Sequence, residues 1–283
     1  MKAHSVTGAS GLVSVKEVGK VFARNGQPEV ILRDCSFDIS PGKLNVLIGP
    51  SGSGKSTLVS LIGGYTAPSV GEIVSDGKPI HGPGPDRMVV FQETALFPWM
   101  SLLANVAYGP IQNGMQRQDA EQRAAELLDK VGLKGFEQRY PDQISGGMQR
   151  RAEVARALIN KPRLLLLDEP FRGLDHMSRG LMQEYFLQLF EEEHMTTLFV
   201  TSEVDEAVLL ADRVIVLSYK PTKVQTVIDV ELPRPRSFQM QTLPEFANLK
   251  QKILDLLYEE AKKGFASGIA PSANAMTSSA TAT

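Results

Sequence analysis

Cysteine is almost absent from this chain of 283 residues: Cys35 stands alone, so no internal disulfide can form. A lone thiol reads as a small buried hydrophobe in a reducing compartment. Histidine is scarce as well, and His4, His81, His176 and His194 fall at no spacing that would ligate a metal. No apolar run approaches the roughly 20 residues that span a bilayer, and the opening MKAHSVTGASG lacks the apolar stretch of a signal peptide. The expectation is a cytosolic chain that meets a membrane only through a partner. Neither sign of charge is in excess. With Lys+Arg at 30 and Asp+Glu at 32, nothing advertises nucleic acid as a partner, and nothing suggests an acidic solvating tail. What is present, 42% apolar and 22% charged residues, suffices to build one large domain or two small ones.

Short continuous apolar runs recur at Leu44-Asn-Val-Leu-Ile48, Met88-Val-Val-Phe91, Leu164-Leu-Leu-Leu167, Leu198-Phe-Val200 and Val214-Ile-Val-Leu217. They do not alternate, which is the pattern of parallel strands covered on both faces. Helical periodicity lies between them, as in Ala120, Ala124, Leu127, Leu128 and Val131 on one face of an otherwise polar segment. Strands alternating with helices predict an α/β core with a mostly parallel sheet and helices on both of its faces. Ahead of it, Leu12 to Ile39 holds shorter alternating pieces such as Cys35-Ser-Phe-Asp-Ile39, which predict an N-terminal antiparallel β subdomain capping the core. Residues from about 94 to 158 read as a helical insertion, and the core domain as 12–240. Pro221 to Pro235 reads as a strand with a proline-broken extension, Leu243 to Lys263 as an amphipathic helix within an extension at 241–264, and 265–283, rich in Ala, Ser and Thr, as disordered.

The segment Gly49-Pro-Ser-Gly-Ser-Gly-Lys-Ser-Thr57 follows one predicted strand and opens a predicted helix. That context gives the P-loop pattern its mechanism. Gly49, Gly52 and Gly54, with Pro50, Ser51 and Ser53 between them, let backbone N–H groups converge on a β-phosphate. Lys55 reaches the β- and γ-oxygens, the Ser56 hydroxyl ligates Mg²⁺, and Thr57 completes the nucleotide-binding segment. Leu164-Leu-Leu-Leu-Asp168-Glu169-Pro170 sets two carboxylates at the C-terminal end of a buried strand, where the ligands of α/β sheets collect. Asp168 suits a water-mediated hold on Mg²⁺. Glu169, pointing the other way, suits proton acceptance from a water that attacks the γ-phosphate. Read alone, Asp-Glu-Pro is also an ordinary polar strand end. Gln92, after the Met88 strand, could add a carbonyl to the Mg²⁺ shell or simply mark a strand boundary.

A second cradle lies far downstream. Ser145-Gly146-Gly147 begins a helix and offers free N–H groups, a hydroxyl and the positive end of a dipole. An N-cap serine alone would explain Ser145. It would not explain two successive glycines, each costing about 1 kcal/mol inside a helix. Because the P-loop already surrounds one face of a triphosphate, a second donor set is useful only from the opposite face, and the economical source is another copy of the chain.

In order along the chain, Gly49 to Thr57, Gln92, Ser145-Gly-Gly-Met-Gln149, Asp168-Glu169 and Leu174-Asp175 resemble the Walker A, Q-loop, signature, Walker B and D-loop motifs of the ATP-binding subunits of ABC transporters. The resemblance spans roughly 12–235. It implies ATP and Mg²⁺ as cofactors and a homodimer, or a pair with another ATPase subunit, in which ATP lies between one P-loop and the other signature serine. It also implies Asp175 at that interface and Phe22 stacked on adenine, although a lone Phe in a strand serves equally as core. Leu96 to Gly109, with Trp99, and Glu231-Leu-Pro-Arg-Pro-Arg236 resemble importers of nitrate, sulfonates and taurine. Partners implied are an integral membrane permease, at the cytoplasmic face of the inner membrane, and a solute-binding protein. One position departs from the pattern: where the family carries a histidine against the γ-phosphate, this chain has Ser202, and Arg172 stands where a small residue is usual. Slow hydrolysis follows as the expectation. The rival readings are a nucleotide-gated regulatory subunit with little turnover and a soluble ABC ATPase outside transport.

Overall fold

The computed structural model describes residues 11–24 and 26–269. Ten strands and seven α-helices occur among them. The strands are β1 (Val13–Arg24), β2 (Gln27–Ile39), β3 (Leu44–Ile48), β4 (Val70–Ser75), β5 (Lys78–Pro79), β6 (Arg87–Val90), β7 (Leu164–Asp168), β8 (Thr196–Thr201), β9 (Arg213–Leu217) and β10 (Val224–Asp229). The helices are α1 (Lys55–Ile62), α2 (Leu102–Gln112), α3 (Arg117–Lys130), α4 (Gly146–Leu158), α5 (His176–Glu193), α6 (Val204–Leu210) and α7 (Pro244–Ile269).

A six-stranded sheet runs β10-β9-β3-β8-β7-β6, parallel throughout except for β10, which pairs antiparallel with β9. Every residue of β3, β7 and β8 is buried, the reason those runs show no polar alternation. One face packs Val46, Leu165, Leu167, Phe199 and Val214 against the helices from α2 onward. On the other, Leu47, Leu164, Leu166, Leu198 and Ile215 pack against α1 and against a four-stranded antiparallel sheet of order β2-β1-β4-β5. Helices therefore lie on both faces, as expected, but unequally: among the described residues, α1 is the helix on this second face. After α1 the chain enters β4 instead of returning to the parallel sheet, and the antiparallel layer takes the space that further crossover helices would fill.

Between β6 and β7, helices α2 and α3 pack on one another and α4 returns to the sheet beside β6. Ala120, Ala124 and Leu128 supply the fully buried stripe of α3. At the C-terminal end, α7 buries Phe246 and Ile253 in the main core. The helix does not stop near Lys263, as its sequence suggests, but continues to Ile269. A Cβ on Gly264 would lie 2.8 Å from the Tyr219 ring, so this glycine is a point of close packing instead of a terminator. The predicted disordered tail is thus corrected for 265–269; residues 270–283 fall outside the described ones.

Candidate functional site

The loop from Gly49 to Gly54 joins the buried β3 to α1, and its shape requires glycine. Gly52 and Gly54 have φ of 77° and 79°. A Cβ on Gly54 would come within 2.7 Å of the Ile31 side chain, and one on Gly49 within 2.8 Å of Ser53 Oγ. Pro50 is half-buried, Ser51 and Ser56 are exposed, and Thr57 is half-buried on the first turn of α1. The buried Thr222 hydroxyl, from the turn between β9 and β10, donates 2.7 Å to the Ser53 carbonyl. Lys55 is buried, its Nζ donating to the carbonyls of Gly49 at 2.9 Å and Pro50 at 3.2 Å. That burial pulls the ammonium below its ordinary pKa, while Glu169 and Asp168 oppose the shift.

Those two carboxylates leave the end of β7 in the same place. Asp168 is buried; its environment pushes the carboxyl above the ordinary range, against a hydrogen bond from the Ser56 hydroxyl. Its Oδ1 is fully enclosed and has no hydrogen-bond partner among the described residues. Glu169 takes the left-handed conformation at φ 45°, which a non-glycine residue holds only where its surroundings insist. Its amide donates to the Val200 carbonyl at 2.9 Å, and its carboxylate lies between Lys55 Nζ at 3.7 Å and Arg172 Nη1 at 2.8 Å. Ser202, exposed after β8, lines a small cavity with Glu169 and Arg172.

The remaining predicted residues are spread around this centre. Gln92 is exposed just past β6. Phe22 is 42% exposed on β1, opposite Glu29 of β2, with Lys20 Nζ 5.0 Å above its ring. It is not a core residue. Glu29 in turn pairs at 2.8 Å with Lys220, whose side chain borders Gly52. Ser145 caps α4 through a 3.3 Å hydrogen bond from the Met148 amide, with Ser145 and Gly146 exposed and Gly147 half-buried. Asp175 caps α5, accepting from the Met177 and Ser178 amides at 3.1 and 3.0 Å; hydrogen bonding from Ser178 holds its carboxyl below the ordinary range.

Residues 32–172 match the family described as "ABC transporter". The aliphatic sulfonates import ATP-binding protein of Bacillus cereus is 38% identical over 242 residues, covering 86% of this chain and 94% of that one. This chain belongs to the ATP-binding subunits of ABC transporters. The nitrate import ATP-binding protein of Synechococcus elongatus is 40% identical over 258 residues, 89% of this chain but 39% of that longer protein. Among solved structures, a dimeric ATP-binding cassette in a post-hydrolysis state with ADP and Pi superposes with a TM-score of 0.69 at 29% identity, covering 78% of this chain and all of that one. The subunit is an ATPase with the P-loop α/β fold of such cassettes.

Two features of this ATP-binding subunit escaped sequence reasoning. Arg150 and Glu153 of α4 form a buried ion pair at 2.6 Å, and both reach the segment after β6. Arg150 donates to the Phe91 carbonyl at 2.6 Å and to the Gln92 carbonyl, while Glu153 accepts from the Ala95 amide. The helix that begins after Ser145 is thereby tied to the segment that carries Gln92. Within a helix that reads as polar, the i, i+3 spacing of Arg150 and Glu153 was the available signal, and nothing in it distinguished a buried pair from a solvated one. Thr222 carried no signal at all.

Proposed function

We propose that two copies of this subunit close head to tail, so that each ATP is held between the P-loop of one and Ser145-Gly146-Gly147 of the other. The observation that carries the reading is the convergence of Lys55, Asp168 and Glu169 at one sheet edge, while the second cradle opens to solvent. In that arrangement Gly49 to Thr57 and Lys55 hold the β- and γ-phosphates, and Glu169 takes the proton of the attacking water as the bond from the γ-phosphorus to the β,γ-bridging oxygen breaks. The signature serine and helix dipole then meet the γ-phosphate from the opposite side. Asp175 sits at the mouth of the same interface. Phe22, exposed opposite Glu29, whose partner Lys220 borders Gly52, suits adenine stacking.

The enclosed, unpartnered Asp168 Oδ1 beside the Ser56 hydroxyl suits Mg²⁺, with Ser56, Asp168 and Gln92 as its protein ligands. Mg²⁺ keeps several waters and substrate phosphate oxygens in its shell, so few protein ligands suffice. When bound, Mg²⁺ would neutralise charge on the β- and γ-oxygens.

The work so released drives uptake of a small solute such as nitrate, a sulfonate or taurine, through a separate permease fed by a solute-binding protein, with this subunit on the cytoplasmic face. Support for import comes from the relatives, and none of the described helices is long and apolar enough to cross a membrane. Support for the permease contact is a projecting aromatic group. Trp99 is 70% exposed and stacks on Phe97 at 5.6 Å, Tyr108 meets Phe97 edge-on at 5.0 Å, and Arg156 lies over Phe97 at 5.2 Å. Such a braced, exposed tryptophan fits an interface anchor. Ser202 favours slow turnover, since its short hydroxyl supplies no cation to the γ-phosphate, and in the extreme it favours a nucleotide-gated regulatory subunit. Glu169→Gln tests the reading: ATP binding persists while turnover falls about 10² to 10⁴-fold. Unchanged turnover would remove Glu169 as the base.

A further inference from the structure

Resting on the reading of Glu169 as the base, the geometry points to Arg172 as the residue that positions its carboxylate. Glu169, Pro170, Phe171 and Arg172 form a tight turn, in which the Arg172 amide donates to the Glu169 carbonyl at 3.1 Å. Phe171 anchors that turn: it is buried, and its ring packs on Phe199 at 5.4 Å and Phe186 at 6.3 Å. The guanidinium is thereby swung back over Glu169, with Nη1 at 2.8 Å from Oε2, whereas Oε1 faces Lys55 at 3.7 Å. The pair is unequal. The Glu169 side chain is 10% exposed and that of Arg172 61%, so an arginine free to fan into water is instead fixed on a nearly buried carboxylate by a charge-assisted bond.

Lys55 stands on the P-loop side at 3.7 Å, and among the described residues lining the cavity the other cation is already engaged. Arg179, which lines the same cavity, pairs with Glu203 at 3.5 Å and donates to the Leu174 carbonyl at 3.2 Å. Ser202, on the opposite side, brings none. Arg172 therefore fixes Oε2 and leaves Oε1, on the P-loop side, as the oxygen turned toward the attacking water. Without the guanidinium the carboxylate keeps only the longer 3.7 Å contact with Lys55, and the left-handed backbone of Glu169 does not by itself set the angle of its last bond.

Steady-state ATP hydrolysis by the full-length chain with MgATP tests this, each variant being checked for thermal unfolding. For Arg172→Ala the expected result is a fall in kcat of roughly 10 to 100-fold, the cost of a misplaced catalytic group, with KM for MgATP nearly unchanged. Arg172→Lys regains a substantial part of it. In a Glu169→Gln background, Arg172→Ala causes no further loss, because its action passes through the carboxylate. Wild-type kcat in Arg172→Ala, a loss that Arg172→Lys leaves untouched, or a full additional loss in the Glu169→Gln background overturns the proposal. The two readings separate cleanly. If Glu169→Gln abolishes turnover while Arg172→Ala does not, only the role of Arg172 falls; if Glu169→Gln turns over normally, the base assignment falls and takes this inference with it.

Discussion

The P-loop and the signature segment are both glycine-bearing helix entrances, yet the chain treats them in opposite ways. The P-loop is enclosed: a buried strand leads in, Ile31 and Leu217 crowd its glycines, and Thr222 braces it from behind. Ser145-Gly146-Gly147 is displayed, its serine hydroxyl bonded into its own helix. A phosphate site needs its donors held in advance, since ordering them during binding would cost affinity. The enclosed half meets that need within one chain. The displayed half meets it only when another surface closes over it, so the contrast itself argues for a nucleotide shared between subunits.

Complementation breaks the comparison most severely. Lys55→Ala damages the enclosed half and Ser145→Arg the displayed half, so each variant alone should lose at least about 100-fold in turnover. Mixed in equal amounts they should recover about a quarter of wild-type activity, since a heterodimer keeps one intact composite site. Recovery absent under conditions where the two variants demonstrably pair would mean that each nucleotide is served by one chain.

Next in size is the tether between the halves. Arg150→Ala leaves Glu153 buried without its cation and should cost about 3–5 kcal/mol in chemical denaturation, whereas Arg150→Met with Glu153→Leu should restore most of that stability. The double variant should still turn over poorly, because Gln92 is no longer tied to the signature helix. Normal turnover in a stable double variant would show the tether to be structural alone.

The smallest effect sharpens the comparison by contrasting two caps. Ser101 caps α2 through a 3.2 Å bond from Ala104, much as Ser145 caps α4, but two leucines follow it. Ser101→Ala and Ser145→Ala should each cost about 1 kcal/mol in stability. Only the second should cut ATP hydrolysis. Equal turnover in the two variants would reduce Ser145 to a cap.

How far the fold could be read in advance varied with how local its cause is. Leu44–Ile48 and Leu164–Asp168 are buried on both faces, so their apolar runs stand out in sequence, and α3 shows its buried stripe at Ala120, Ala124 and Leu128. How the helices divide between the two faces of the parallel sheet, with α1 beside the antiparallel layer on one and the rest on the other, is not local, because it depends on where the chain goes after α1. The continuation of α7 past Lys263 is hidden for a similar reason, since the Tyr219 ring that needs the small size of Gly264 comes from a distant turn. Within the site, Gly52, Gly54 and Lys55 announce themselves by spacing. Arg172 was noticed as an odd residue, but its partner was not visible from its position.

Sequence alone determined the phosphate-binding loop, the strands that carry it and the order of the motifs, because glycine conformation, burial pattern and short spacing act within a few residues of the chain. Tertiary structure decided the partnerships: Arg172 on Glu169, Arg150 and Glu153 on the Q-loop, Thr222 behind Ser53, and α7 against the core. Each joins groups through a turn or across a distance in sequence at which composition says nothing about direction. A charged side chain shows its purpose only when the backbone has fixed what stands opposite it.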